Sequence, residues 1–146
     1  MLPFLVLLLS LLLMRGLTAA GIGLFTSWPS DVAYALALML LLTASVHFTK
    51  TKEDLIRMVP AAFPFRRQIV TITGCLELLG AVGLLIPATR GAAGVCLALL
   101  FVAMFPANVR GAVRNLSLRG RPATPLWLRV PMQLAFIGAA FFVALV

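Results

Sequence analysis

The most constraining feature of the sequence is the apolar stretch at residues 71–87, TITGCLELLGAVGLLIP, which contains one ionisable side chain, Glu77. Its length and composition predict a membrane-spanning helix. A carboxylate at that depth costs roughly 2.5–3.5 kcal/mol on insertion scales, so it usually faces the protein interior. At about 100° per residue, Glu77 shares a helix face with Thr73, Gly74 and Gly80. We expect this small-residue face to pack against a neighbouring helix, and the opposite, branched face to meet lipid.

The composition extends this prediction to the whole chain. Of 146 residues, 62% are hydrophobic and 11% are charged, which is more apolar surface than a soluble domain of this size can cover. We therefore predict an all-α membrane helical bundle, a single membrane domain at residues 1–146. The predicted spans are residues 1–25, 31–48, 68–87, 91–109 and 130–146. The first span has no basic residue before its apolar core, so we expect an uncleaved helix with an internal Arg15.

The net charge of +8 comes from basic residues that flank the apolar spans. This placement indicates membrane topology and contact with anionic lipid, and we expect no nucleic-acid partner. Loops 49–67 and 110–129 each carry five basic residues, against Arg90 on the other side. The positive-inside rule places both loops and the N-terminus in the cytoplasm and the C-terminus outside. Within loop 49–67, a capping-box pattern at residues 51–54 predicts a short interfacial helix.

The first candidate constellation is Glu77 with Arg15. Counted at about 1.5 Å per residue, Arg15 lies about 20 Å and Glu77 about 15 Å from the cytoplasmic side. An ion pair that sets the register of the helices is one interpretation. A second makes Glu77 a protonatable group on a quinone or proton path, and a third keeps it neutral by desolvation. Thr73, one turn away, could form a hydrogen bond to its carboxyl group.

The second candidate constellation contains four polar residues predicted to lie near the cytoplasmic ends of three spans: His47, Asn108, Arg129 and Gln133. Thr43 lies one turn before His47 on the same face. Polar groups that converge under apolar side chains suit a ligand with carbonyl groups, such as a quinone. Hydrogen bonding between helices, without a ligand, is the alternative. One histidine and two cysteines on separate spans predict neither a metal site nor bis-histidine haem.

Several short motifs together resemble the DoxX family of small bacterial membrane proteins. They are His47-Phe48, Met58-Val59-Pro60, residues 74–81 (GCLELLGA), residues 84–87 (LLIP), Arg90, residues 105–109 (FPANV) and residues 128–133 (LRVPMQ). The resemblance covers residues 31–146 and implies a four-helix bundle, to which residues 1–25 add one N-terminal helix. It also implies the bacterial inner membrane, an association with quinone-linked redox systems, and polar site positions at His47, Glu77, Asn108, Arg129 and Gln133.

We therefore expect an accessory or anchor subunit of a membrane redox system, with a redox partner protein, no covalently bound cofactor and a quinone as candidate ligand. Glu77 would be the proton-active, catalytic group, and the other four residues would position the ligand. The sequence shows no self-sufficient redox centre, so any oxidoreductase activity would belong to a complex. Two alternatives stay open: a small-molecule carrier or pore formed by a homo-oligomer, and an assembly protein without a ligand.

Overall fold

The computed structural model describes residues 2–21, 27–118, 120, 122 and 124–146. Within these residues the chain forms six α-helices: α1 (Leu2–Ala19), α2 (Trp28–Val46), α3 (Lys52–Met58), α4 (Arg66–Leu85), α5 (Arg90–Val113) and α6 (Leu126–Leu145). All except α3 are long and apolar enough to cross a membrane. The predicted all-α membrane bundle with five spans is therefore confirmed. The predicted end of the first span at Phe25, and Arg119 and Arg121 of the basic loop, lie outside the described residues.

The second span begins earlier than its sequence pattern predicted. Ser27 is the N-cap of α2, and its hydroxyl accepts a hydrogen bond of 3.4 Å from the backbone N–H of Ser30. Pro29 is tolerated in the first turn because the backbone N–H groups there have no helical partner. Asp31 lies in the same turn, where its negative charge is favourable to the helix dipole.

The short helix α3 forms where the charged loop predicted an interfacial helix, but its predicted capping box is wrong. Thr51 is the N-cap residue and its side chain makes no capping hydrogen bond. Contacts with α4 hold α3 instead: Arg67 donates to Glu53 over 2.6 Å, and the Lys52 ammonium group donates to the Thr71 hydroxyl over 2.7 Å. The ends of α2, α4, α5 and α6 nearest α3 are called the α3 end of the bundle below.

Helix α2 is the centre of the bundle, and it packs against α1, α4 and α6. Helix α5 packs against α4 and α6 and completes the ring. Leu36, Met39 and Leu40 of α2 are fully buried, together with Leu84 of α4 and Leu97 of α5. The core therefore lies along α2, and polar side chains that project from the neighbouring helices toward it are enclosed.

The small-residue face of α4 is confirmed as a packing surface. A Cβ atom on Gly74 would lie 2.5 Å from the Cβ of His47, and one on Gly80 would collide with Leu97. On the opposite face, Ile72 and Leu79 are exposed, as expected for residues that meet lipid. Glu77, which lies between the two glycines, is consequently held against α2.

Candidate functional site

The five residues predicted to form the site line one cavity of about 220 Å³ at the α3 end of the bundle: His47, Glu77, Asn108, Arg129 and Gln133. The histidine follows the last residue of α2, and the glutamate projects from α4. The asparagine belongs to α5, and the arginine and glutamine belong to α6. Glu77 of the first constellation and the four residues of the second therefore line one site, which does not include Arg15.

Glu77 is 3% exposed, and its carboxyl group is held by α2. The Thr43 hydroxyl lies 2.9 Å from Glu77 Oε2 and 3.1 Å from the Leu40 carbonyl oxygen. One hydroxyl hydrogen serves one strong acceptor at a time. An ionised Glu77 accepts it, whereas a protonated Glu77 can donate to Thr43, which then donates to Leu40. The carboxyl group can thus gain or lose a proton and keep its partner.

Thr73, the partner predicted for Glu77, does not take that role. Its hydroxyl donates to the Val70 carbonyl oxygen over 3.0 Å, within its own helix. Thr43 on the facing helix takes its place. The sequence showed that Thr43 shares a helix face with His47, and this was the only indication that Thr43 belongs to the site. The pairing of that face with α4 is a tertiary relationship that periodicity within one helix does not reveal.

His47 is 5% exposed and is oriented by its own helix end. Its Nδ1 lies 3.2 Å from the Thr43 carbonyl oxygen and 3.9 Å from Glu77 Oε2. A carbonyl oxygen only accepts, so Nδ1 carries the hydrogen. Burial lowers the pKa of His47, which favours the neutral ring. In that ring Nε2 is a hydrogen-bond acceptor.

Asn108, Arg129 and Gln133 form a hydrogen-bond chain between α5 and α6. Arg129 donates to Asn108 Oδ1 over 2.8 Å, and the Asn108 amide donates to Gln133 Oε1 over 3.1 Å. Gln133 then donates to the backbone carbonyl oxygen of Phe101 over 2.6 Å. These bonds fix the amide orientations, so this wall of the cavity is rigid and polar.

Three polar atoms of the site make no hydrogen bond within the described part of the chain. They are Arg129 Nε, His47 Nε2 and Glu77 Oε1. The first is a donor, the second an acceptor, and the third can serve as either. The remaining lining is largely apolar and includes Met39, Leu55, Met58, Phe101, Met104 and Phe136. The arrangement therefore suits a small apolar ring with oxygen substituents at its edges.

The predicted ion pair of Arg15 with Glu77 is wrong. Arg15 donates to Asp31 Oδ2 over 2.9 Å, and its guanidinium group lies 4.1 Å from the ring centre of Trp28. Asp31 is fully buried. The physical reason is the distance along the axis of α2. Thr43, the partner of Glu77, follows Asp31 by twelve residues, which is about 18 Å of α-helix. Arg15 therefore meets α2 far from Glu77 and fastens α1 to the bundle.

A second polar contact at that end was not foreseen from the sequence. Arg90, which the sequence offered as a topology marker and as one motif of the family resemblance, donates to the Leu84 carbonyl oxygen and to the Ser30 hydroxyl, each over 3.0 Å. Its guanidinium group lies 5.7 Å from the ring centre of Tyr34. This contact joins α5 to α4 and α2 at the end opposite α3. It stabilises the bundle at a distance from the cavity.

Comparison with known proteins gives one family. The model of a family described as a domain of unknown function (DUF8561) matches residues 36–144, which include α3 to α5 and most of α2 and α6. All five site residues fall inside the matched region, whereas Arg15, Asp31 and the whole of α1 fall outside it. No curated protein and no solved structure matches the chain.

Proposed function

The chain belongs to the DUF8561 family, and we propose that it binds a quinone in the polar cavity as an accessory or anchor subunit of a membrane redox system. The observation that carries the proposal is the convergence of His47, Glu77 and Arg129 on one cavity inside an apolar bundle. Ionisable groups are costly there, and chains that keep them usually use them. The resemblance of residues 31–146 to the DoxX family supports the same choice of ligand.

The unpartnered atoms of the site fit the two redox forms of such a ring. Arg129 lines the cavity and bonds to Asn108 through Nη1, so another N–H group of its guanidinium can donate to a carbonyl oxygen. His47 Nε2 can accept from a hydroxyl group, because Nδ1 already carries the hydrogen. Glu77 Oε1 can do either, according to its protonation. The methionine and phenylalanine side chains around them supply the apolar contact that a ring requires.

Glu77 would exchange one proton with the ligand, and a partner protein would supply the electrons and the second proton. Conversion of a quinone to its quinol takes two electrons and two protons. A partner oxidoreductase supplies both electrons and one of the two protons in this proposal, and Glu77 exchanges the other proton. Glu77 holds or releases a proton, and Thr43 reorients its hydroxyl between Glu77 and Leu40 as it does so. Glu77 is the candidate catalytic residue, and His47, Asn108, Arg129 and Gln133 bind the ligand.

The orientation in the membrane is part of the same proposal. Lys52, Arg57, Arg67 and Arg110 belong to helix ends or loops at the α3 end. Under the positive-inside rule this end is cytoplasmic, in the inner membrane of a bacterial cell. The soluble partner would then approach from the cytoplasm, on the side where the polar cavity lies.

One observation favours a second candidate, an assembly protein without a ligand. Asn108, Arg129 and Gln133 bond one another and the backbone of Phe101, as residues that only lock helices together would. This candidate gives no role to the unpartnered atoms of His47 and Glu77. It predicts that replacement of His47 changes stability alone.

Gentle purification tests the proposal. The full chain, tagged at its C-terminus, is extracted in mild detergent, and co-purifying proteins and lipophilic molecules are identified by mass spectrometry. We expect about one quinone per chain and a stoichiometric oxidoreductase. Arg129→Met should lose the quinone, and Cys96→Ala, on an exposed surface of α5, should keep it. Recovery of phospholipid alone would contradict quinone binding, and a quinone without an oxidoreductase would contradict the subunit role.

A further inference from the structure

A second cavity, of about 280 Å³, adjoins the polar cavity at the α3 end and is called the apolar chamber below. Five of the described residues line both cavities: His47, Leu55, Met58, Met104 and Asn108. Away from this shared wall, the chamber is lined mainly by apolar side chains, which include Val59, Pro60, Phe63, Ile69, Val70 and Ala103. A polar compartment therefore continues directly into an apolar one.

The chamber lies between α4 and α5. Toward the opposite end of the bundle these helices touch, because Gly80 packs against Leu97 and a Cβ on Gly83 would lie 2.8 Å from the Cβ of Ala93. Toward the α3 end, Val70 of α4 and Ala103 of α5 line the chamber instead. The two helices thus form a pair that is closed at one end and hollow at the other.

Helix α3 covers the hollow end of this pair, since it contacts both α4 and α5. The bonds of Glu53 and Lys52 to α4 hold one side. On the other side, the Met58 side chain, which is 4% exposed, packs directly against Gly111 of α5. The chamber therefore has a fixed cover on the side of the loops.

The rim of the chamber is exposed on the flank of the bundle. Ala103 and Pro106 of α5 are exposed, and Phe63 is 51% exposed. On the same two helices, Leu79 and Leu99 are also exposed and apolar, as on a surface that meets lipid. Because Ala103 and Pro106 line the chamber and are exposed on a membrane-spanning helix, the part of the rim that they form faces hydrocarbon rather than water.

We propose that the apolar chamber holds the hydrocarbon tail of a membrane-dissolved ligand, whose head group lies in the polar cavity, and that this ligand enters sideways between α4 and α5 beneath α3. The inference rests on the proposed function for the head group. It adds the class of ligand: an amphiphile with a hydrocarbon tail, taken from the bilayer, rather than a water-soluble metabolite.

Photolabelling of the full chain in nanodiscs tests this inference. One probe is a quinone whose single hydrocarbon tail carries a diazirine, and the second is a phosphatidylcholine with the same diazirine in an acyl chain. Peptide mapping compares labels at Val59 and Val70, which are 6% and 3% exposed, with labels at lipid-facing Leu79 and Leu99. Only a tail inside the chamber reaches the two buried valines.

We expect the tailed quinone to label Val59 and Val70. Ala103→Phe, which fills the chamber, should reduce those labels at least tenfold and leave Leu79 and Leu99 unchanged. Ala92→Phe, on an exposed face of α5 outside both cavities, is the matched control and should change nothing. Ala107→Leu provides a second, milder block if the phenylalanine variant does not fold.

The two probes separate this inference from the proposed function. If the phospholipid labels the buried valines and the quinone does not, the chamber is a tail site and the quinone proposal fails. If neither probe labels Val59 or Val70 while Leu99 is labelled normally, the inference is overturned. The same conclusion follows if Ala103→Phe and Ala92→Phe give identical labelling patterns.

Discussion

His47 and Glu77 face each other across the contact of α2 with α4, with histidine Nδ1 3.9 Å from glutamate Oε2. Thr43 bonds to both residues, through its carbonyl oxygen to the imidazole and through its hydroxyl to the carboxyl group. Three side chains from two helices therefore behave as one unit. Replacement of one of these residues should therefore affect the positions of the other two.

Thr43→Val should destabilise the protein, because it leaves Glu77 Oε2 without its partner. An unsatisfied buried polar group costs about 1–3 kcal/mol. Thr43→Ser keeps the hydroxyl and should stay close to the wild type. Unfolding in detergent, followed by circular dichroism against denaturant, measures the difference. Equal stability of the valine and serine variants would show that the Thr43–Glu77 bond does not hold α2 to α4.

Arg15→Gln should destabilise the protein because it leaves Asp31 charged and fully buried. Breaking a buried pair costs about 3–5 kcal/mol, and we expect the lower part of that range because the Arg15 side chain is 35% exposed.

A double-mutant cycle identifies the partner of Arg15. Asp31→Asn should restore most of the stability lost in Arg15→Gln, whereas Glu77→Gln should restore none. Arg57→Gln, at an arginine whose side chain is 71% exposed, is the control and should be nearly neutral. Rescue by Glu77→Gln would reinstate the pair expected from the sequence.

Gly74→Ala should displace His47, since the new Cβ would lie 2.5 Å from the histidine Cβ. Overpacking of this kind costs about 1–3 kcal/mol, and it should also weaken ligand binding through the moved imidazole. Gly138→Ala, whose added Cβ meets no atom within 4 Å, is the matched control. It should be neutral or stabilising by up to about 1 kcal/mol. Thermal unfolding of the two variants measures the difference in stability. Similar losses of stability in both would contradict the close contact of Gly74 with His47.

His47 should contribute a loss of stability as the pH falls. Burial lowers the pKa of this histidine, so the unfolded chain binds its proton more readily than the folded chain does. Protonation therefore favours unfolding once the pH drops below the unfolded value of about 6.5. Between about pH 7.5 and about pH 5.5, the free energy of unfolding of the wild type should fall relative to that of His47→Gln. An equal change of the unfolding free energy in both proteins would exclude this contribution of His47.

The fold was largely predictable because each span is an apolar run of membrane length between polar segments. The residues at which the helices begin and end were less predictable. Ser27 caps α2 ahead of Pro29, and Pro106 lies inside α5, which continues to Val113. A proline restricts its own turn, but tertiary packing decides whether the helix goes on.

The site was predictable as a set of residues but not as a set of bonds. Polar groups in apolar spans identified Glu77, His47 and Asn108, and the cavity brings them together. Periodicity shows which residues share a face, but not which helix that face meets. The ion pair of Arg15 with Asp31 was therefore not predicted. An estimate of depth from one side of the membrane does not show whether Arg15 pairs with Asp31 or with Glu77.

The apolar chamber could not be foreseen from the sequence at all. Val70 and Ala103 are ordinary members of apolar spans, and nothing in their pattern distinguishes a cavity wall from a packed interface. The chamber depends on where α4 and α5 touch and on the position of α3 across them. These are properties of the assembled bundle.

The central claim, that Glu77 faces a bound quinone, is tested most directly by infrared difference spectroscopy of the reconstituted protein before and after addition of the quinone. We predict a change in a carboxyl C=O band that is absent in Glu77→Gln and retained in Glu53→Gln, whose carboxylate is 55% exposed on α3. A saturating quinone that changes no carboxyl band, or a band that survives in Glu77→Gln, would contradict the claim.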